Sequence, residues 1–350
     1  HQTAETMALD AVAGEVDMQT RHISTVDYIP MLQEGTERGD YSMTEFCAGT
    51  GPSHKPIPLS MTTQDETKRA LFQNKDFRLA LSHAIDRENV MSVVFRGAVA
   101  FEGPKWDSPL QQDEEDALWE EYAVYDLDLA NQMLDDLGLD QRDSDGYRLM
   151  ENGERLSILC ESVTMWKDAV QMLELLVEEW KNAGVEVILK TWDRPHFQEK
   201  RDENECELCI HGGPGRGADY TVNLIVDSRY VAPVHWEADW GHEWYDWYNT
   251  NGVEGQVPPD EVKRNAELFD QVKQTPDFEK MIELYKEMLM NRTKGFWWIN
   301  MGPYWADPCS LGVVKNNMQN VPPKMPNSWW WATPGPSQTW MYYFDPPQDF

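Results

Sequence analysis

The sequence has little cysteine: five in 350 residues, at Cys47, Cys160, Cys206, Cys209 and Cys309. So few, and odd in number, they exclude a disulfide scaffold for a chain of this size and leave room for at most two bridges. Basic charge is also scarce, with 30 lysines and arginines against 61 aspartates and glutamates and a formal net charge of -31. Such a surface repels phosphate backbones and anionic lipid, which argues against nucleic-acid and membrane-surface roles. The same acidity suits a salty exterior, where screening relieves self-repulsion. No apolar run approaches the roughly 20 residues of a membrane-spanning helix. Also missing are HExxH, a second CxxC at zinc spacing, a GxSxG elbow, a Walker loop and the kinase motifs, so neither a metal nor a cofactor is called for and no catalytic set emerges.

What is present is the composition of a folded protein: 41% hydrophobic and 11% aromatic residues, with 16 tryptophans. The length suits about two domains, each able to bury a core. Glycine and capping residues punctuate the chain. A helix over 2–13 closes at Gly14, GEVDMQTRHI alternates as a strand, a helix from Ser24 or Thr25 runs to Gly39, and YSMTEFCAG is extended. PLSMTTQ reads as one extended strand after a loop. Phe77, Leu81, Ala84 and Ile85 recur at helical spacing, with Asp86 as N-cap of a second helix through Phe95. Asp126 caps an amphipathic helix ending at Gly138. The turns Asp145-Gly146 and Asn152-Gly153 flank a hairpin leading into RLSILC. A helix from Lys167 to Ala183, strand VEVILKTW, a helix near Pro195–Glu203 and strand ECELCIHGG give β-α-β-α-β order. Two helices over 260–290 break at Thr275-Pro276, and FWWINMG is a return strand.

FRLALSHAIDRENV, Phe77 to Val90, resembles the signature of the dipeptide, oligopeptide and nickel class of ABC-importer solute-binding proteins. Other pieces follow in the same order: GEVDMQTRHI with DYIPMLQEGTERGDY, YDLDLANQMLDDLGLDQRDSDGYRL, NAGVEVILK, the VPPDEVKR helix and the NVPP turn. The resemblance implies an α/β fold, a two-lobed periplasmic-binding-protein-like clamshell of type II in the large oligopeptide-binding class. It further implies an extracytoplasmic, periplasmic or extracellular monomer that captures a small solute, a peptide or an oligosaccharide, and delivers it to an ABC transporter permease without chemistry. The family's first lobe starts before the position matching His1, so an incomplete first lobe is expected: residues 1–62 plus 301–350, with residues 63–300 as the second lobe.

Candidate ligand residues cluster after the expected strand ECELCIHGG. His211, Gly212 and Gly213 open a glycine-rich loop that also holds Arg216. The residues after it start a helix poorly, which argues against a phosphate site and for a ligand-facing loop. The resemblance implies a cleft lining here with an acidic anchor for a peptide ammonium; the aligned positions offer Pro214, Gly215 and Arg216, with Asp219 displaced. Trp166, after RLSILC, matches a cleft position. Trp236, Trp240 and Trp244 fall at i, i+4 and i+8, which puts a ring ladder on one helical face, either packing into the core or forming a stacking floor for sugar rings. Cys206 and Cys209 are expected within one strand on opposite faces, as buried packing. Asp86-Arg87 is expected to cap and brace the helix pair, and Asn291-Arg292-Thr293 is an incidental sequon. A carbohydrate-active enzyme is the reading from another class, and it requires two cleft carboxylates about 5 to 10 Å apart.

Overall fold

The computed structural model describes residues 4–19, 23, 27–48, 56–95, 110, 112–164, 167–210, 228–301, 310–322, 324–327 and 339–346. Helix α1 (Ala4–Ala13) stops at Gly14, whose φ of 82° is the left-handed region that glycine tolerates. Strand β1 (Met18–Gln19), helices α2 (Ile29–Glu34) and α3 (Thr36–Gly39), and strand β2 (Tyr41–Ala48) follow. The single helix expected to end at Gly39 is two. Pro30 lies in the first turn of α2, where it is pre-organised. Gly35 ends that helix in a close approach, since a Cβ there would lie 2.6 Å from Val12 Cγ2.

Strand β3 (Pro56–Ile57) leads to helices α4 (Glu66–Gln73), α5 (Lys75–His83) and α6 (Arg87–Phe95). Asp65 and Asn74 cap α4 and α5 by accepting backbone N–H groups, and Asp86 Oδ1 accepts from Asn89 N at 3.0 Å. PLSMTTQ is not one extended strand. Only Leu59 bridges another strand residue, Leu208, before the chain turns, with Thr63 N donating to Ser60 O and Met61 N to Trp240 O. Backbone partners on two different segments bend it.

Helices α7 (Asp113–Tyr122) and α8 (Leu127–Asp136) precede the expected hairpin, bridged at Arg142–Arg148 and Leu149–Arg155. Next come β4 (Ser157–Val163), α9 (Lys167–Asn182), β5 (Glu186–Trp192), α10 (Arg194–Asp202) and β6 (Leu208–Ile210). The chain continues through α11 (His242–Asn249), α12 (Asp260–Gln274) and α13 (Phe278–Gly295) to β7 (Ile299–Asn300). Asn291 lies inside α13 with its amide donating to Asn265 Oδ1, so the sequon sits in packed helix. Strands β8 (Ser310–Lys315), β9 (Met318–Gln319), β10 (Lys324–Asn327) and β11 (Tyr343–Phe344) finish the elements.

Two sheets organise the described residues. The first has the order β1-β8-β2-β10, with β8 antiparallel to both neighbours and β10 parallel to β2, so the two ends of the chain share one ladder. Ala8, Ala11, Ile23, Leu32, Tyr41 and Val313 form its core, and buried Tyr41 donates its hydroxyl to Leu32 O at 2.6 Å. The second sheet is all parallel, in the order β5-β4-β6. Strands β4 and β6 are mostly buried, with Met172, Leu173, Leu176 and Trp180 of α9 on one face of the sheet and Phe197 of α10 on the other, while β5 at the edge is partly exposed. Strands β3 and β7 pair antiparallel between the segments that precede α4 and follow α13.

Candidate functional site

In a β5-β4-β6 sheet the first strand is central, and its two right-handed crossovers leave in opposite directions. Helix α9 therefore covers one face and α10 the other. Such a topological switch opens a crevice at the carboxyl ends of the central strand and its third-strand neighbour, where α/β proteins bind ligands. Here that point lies between Val163 of β4 and Ile210 of β6. Ser162 Oγ, buried, donates to Ile210 O at 3.0 Å and ties the two strand ends together.

Beside this edge stands Trp192, the last residue of β5 and the register partner of Val163. Its indole N–H donates to Glu161 Oε1 at 2.7 Å, its ring meets the His196 ring edge-on at 4.6 Å, and Lys200 Nζ lies 5.6 Å from its centre. Those contacts hold a half-buried ring beside the strand ends. Thr164 continues β4 by bonding Trp192 O through both its N–H and its hydroxyl.

A second cluster anchors the segment after residue 227. Buried Arg201, on α10, has Glu237 at 3.7 Å and Asp239 at 3.6 Å. Trp236 lies over its guanidinium, 4.3 Å from ring centre to Cζ. Glu237 also pairs with Arg229. Burial pushes the Asp239 carboxyl up to about 7, outweighing the nearby Arg201 charge that pulls it down. Segment 228–241 is thereby fixed on α10, while the β4–β6 ladder fixes residue 210.

The expected site residues divide accordingly. Trp166, His211, Gly212, Gly213, Arg216 and Asp219 lie outside the described residues. Trp236 is 41% exposed and Trp240 is 0% exposed. The ring ladder is corrected: the helix spans only His242–Asn249, and residues 235–241 form turns closed by Ala238 N to His235 O and Gly241 N to Ala238 O. Trp240 instead stacks on Trp297 at 5.0 Å and donates its indole N–H to Arg229 O, so it packs the core and offers no stacking floor. The cysteine expectation is corrected too. Strand β6 begins only at Leu208, which frees Cys206 from pleat alternation, and Cys206 and Cys209 are joined by a disulfide.

Trp192, Glu161, Lys200 and Arg201 escaped the sequence reading. Glu161 left a signal, an acid inside the apolar strand SILCESV. The others meet only through the crossovers.

The doubly wound sheet together with the two-ended first sheet defines the periplasmic-binding-protein fold. The model of the bacterial extracellular solute-binding proteins, family 5 middle region, matches residues 2–225, and the chain belongs to this family. Among solved structures it is similar to an oligopeptide-binding protein OppA, with 28% identity and a TM-score of 0.71 over 99% of this chain and 56% of that one. It also resembles the periplasmic binding protein MelB from Agrobacterium fabrum in complex with stachyose (17% identity, TM-score 0.67, 92% and 47% covered). A third is the oligopeptide-binding protein AppA from Bacillus subtilis in complex with a nonapeptide (17%, 0.61, 91% and 56%). The chain thus spans about half the length of these proteins. Comparison with curated protein sequences gave no match. Among the described residues no helix is long and apolar enough to cross a membrane.

Proposed function

We propose that the intact protein captures an oligopeptide or similar small solute outside the cytoplasm and passes it to the permease of an ABC importer. The observation that carries this reading is the switch point between β4 and β6 in a chain of this family. In the sequence Trp166 and the 211–219 segment follow these strand ends, and they are the positions expected to hold the ligand. In this reading residues 1–62 and 301–350 belong to one lobe and 63–300 to the other, and the protein works as a monomer. The shared ladder of β1, β2, β8 and β10 supports that division.

An oligosaccharide is the second ligand class, favoured by the partly exposed rings of Trp192 and Trp236, which suit sugar faces. A glycosidase fits less well. Glu237 and Asp239 are buried against arginines, whereas a catalytic pair has to flank the scissile bond. A thermal-shift screen of the intact protein against peptide and oligosaccharide panels tests the proposal. Saturable stabilisation by one class, with the ligand unchanged, is expected. No stabilisation by either class, or hydrolysis of a glycoside, overturns it.

A further inference from the structure

Cys206, Cys209 and Glu161 converge beneath α10. Their potential ligand atoms all lie within 4.8 Å of one another, and all three side chains are buried. Glu161 and Cys209 are register partners on parallel strands, so the ladder itself holds them side by side. Cys206 reaches the same place from the turn before β6 and closes the disulfide with Cys209.

Glu161 is poorly served in that oxidised state. It is 0% exposed, and only Oε1 has a hydrogen bond, from Trp192 Nε1. Oε2 has no hydrogen-bond partner, and the nearest ammonium, Lys200 Nζ, stands 3.9 Å from Oε1. A carboxylate oxygen left unpaired in an apolar interior costs free energy, and here it sits beside two sulfurs.

We propose that reduction of the Cys206–Cys209 disulfide turns this cluster into a site for one thiophilic divalent cation, of the zinc or cadmium class, with both sulfurs and Glu161 as ligands. A dithiol reductant attacks one sulfur and is itself oxidised to a disulfide. The two electrons and two protons it gives up leave Cys206 and Cys209 as thiols. Binding of the cation then displaces both thiol protons to solvent. Two thiolates and a carboxylate around a divalent cation leave one net negative charge, which Lys200 offsets. Sulfur donors select zinc or cadmium over magnesium and calcium, and three protein ligands leave a fourth position open. The indole N–H of Trp192 orients the carboxylate from outside, the role that supporting hydrogen bonds play at metal centres.

The test uses a variant carrying Cys47→Ser, Cys160→Ala and Cys309→Ser, so that Cys206 and Cys209 are the remaining cysteines. It is reduced with dithiothreitol, freed of reductant under argon and titrated with cadmium chloride. An ultraviolet thiolate-to-cadmium band saturating at one equivalent is expected, with a rise in unfolding temperature. Air-oxidised protein shows neither. Glu161→Gln keeps both thiols but loses affinity, and Trp192→Phe keeps all three ligands and binds roughly 10- to 100-fold more weakly. The absence of a band in the reduced protein overturns the proposal. So does equal cadmium uptake before and after reduction, or affinity unchanged in both substituted proteins. If Glu161→Gln does not fold, the redox comparison and Trp192→Phe decide the matter.

Discussion

Arg87, in the middle of the signature segment, carries a positive charge into the interior and spends it on backbone. It donates to Asn300 O at 2.8 Å, Ser82 O at 2.9 Å and Ala123 O at 3.0 Å, joining α5, α6, the end of α7 and β7. Burial pushes its guanidinium down to about 9, so at neutral pH it still holds those carbonyls as a cation. Arg87→Leu strands several buried acceptors and is expected to cost about 3–5 kcal/mol, measured by urea unfolding. Asp239 gives a pH signature. Its folded value of about 7 lies above its ordinary 3.8, so between the two the folded protein keeps a proton that the unfolded chain has released. Its contribution to stability is therefore full below the lower value and is lost as pH rises through the upper one. Asp239→Asn removes that slope. The unfolding temperature of the wild type, relative to the variant, should fall between about pH 4 and pH 7, and a pH-independent difference would contradict the assignment.

Among the elements, those with chemical punctuation were legible in the sequence. Asp126 accepts from Leu129 N at 2.9 Å at the start of α8, and Gly184 takes a φ of 82° after α9, both as the residue pattern implied. Asp126→Ala is expected to cost about 1 kcal/mol by chemical denaturation. Gly184→Ala costs more than Gly153→Ala, although both glycines have positive φ. A Cβ at position 184 would lie 2.3 Å from Arg142 Nη1 and 3.0 Å from Arg148 Cγ, whereas one at position 153 meets nothing within 4 Å. Equal losses in the two variants would refute this packing argument. What stayed illegible was set by distant partners. The spacing of Trp236, Trp240 and Trp244 is helical, but Trp240 O is taken by Met61 N and its indole by Arg229 O, and the backbone turns to reach them. Likewise PLSMTTQ has the residues of a strand but bends after its Leu59–Leu208 bridge, because Met61 N finds Trp240 O and Thr63 N turns back to Ser60 O.

At the scale of the whole molecule, the family and its α/β architecture were readable because the AIDR helix pair and the β-α-β-α-β order are local patterns. The candidate site was readable only as a place, the ends of β4 and β6, since Trp192 comes beside it through a crossover that no spacing reveals. The charge of -31 has its own consequence. Self-repulsion is screened over about 10 Å at 0.1 M salt and about 3 Å at 1 M, so the unfolding temperature should climb over that range. A fall would point to stabilising ion pairs as the stronger term. On the function proposed above, the intact protein holds a solute at the β4–β6 switch point without altering it. Equilibrium dialysis of the intact protein with labelled oligopeptides and oligosaccharides, followed by mass analysis of the released material, tests it most directly. One saturable equivalent of unchanged ligand, with affinity reduced by Trp192→Ala, is the expected result. Cleaved ligand, or no retained ligand from either class, would contradict it.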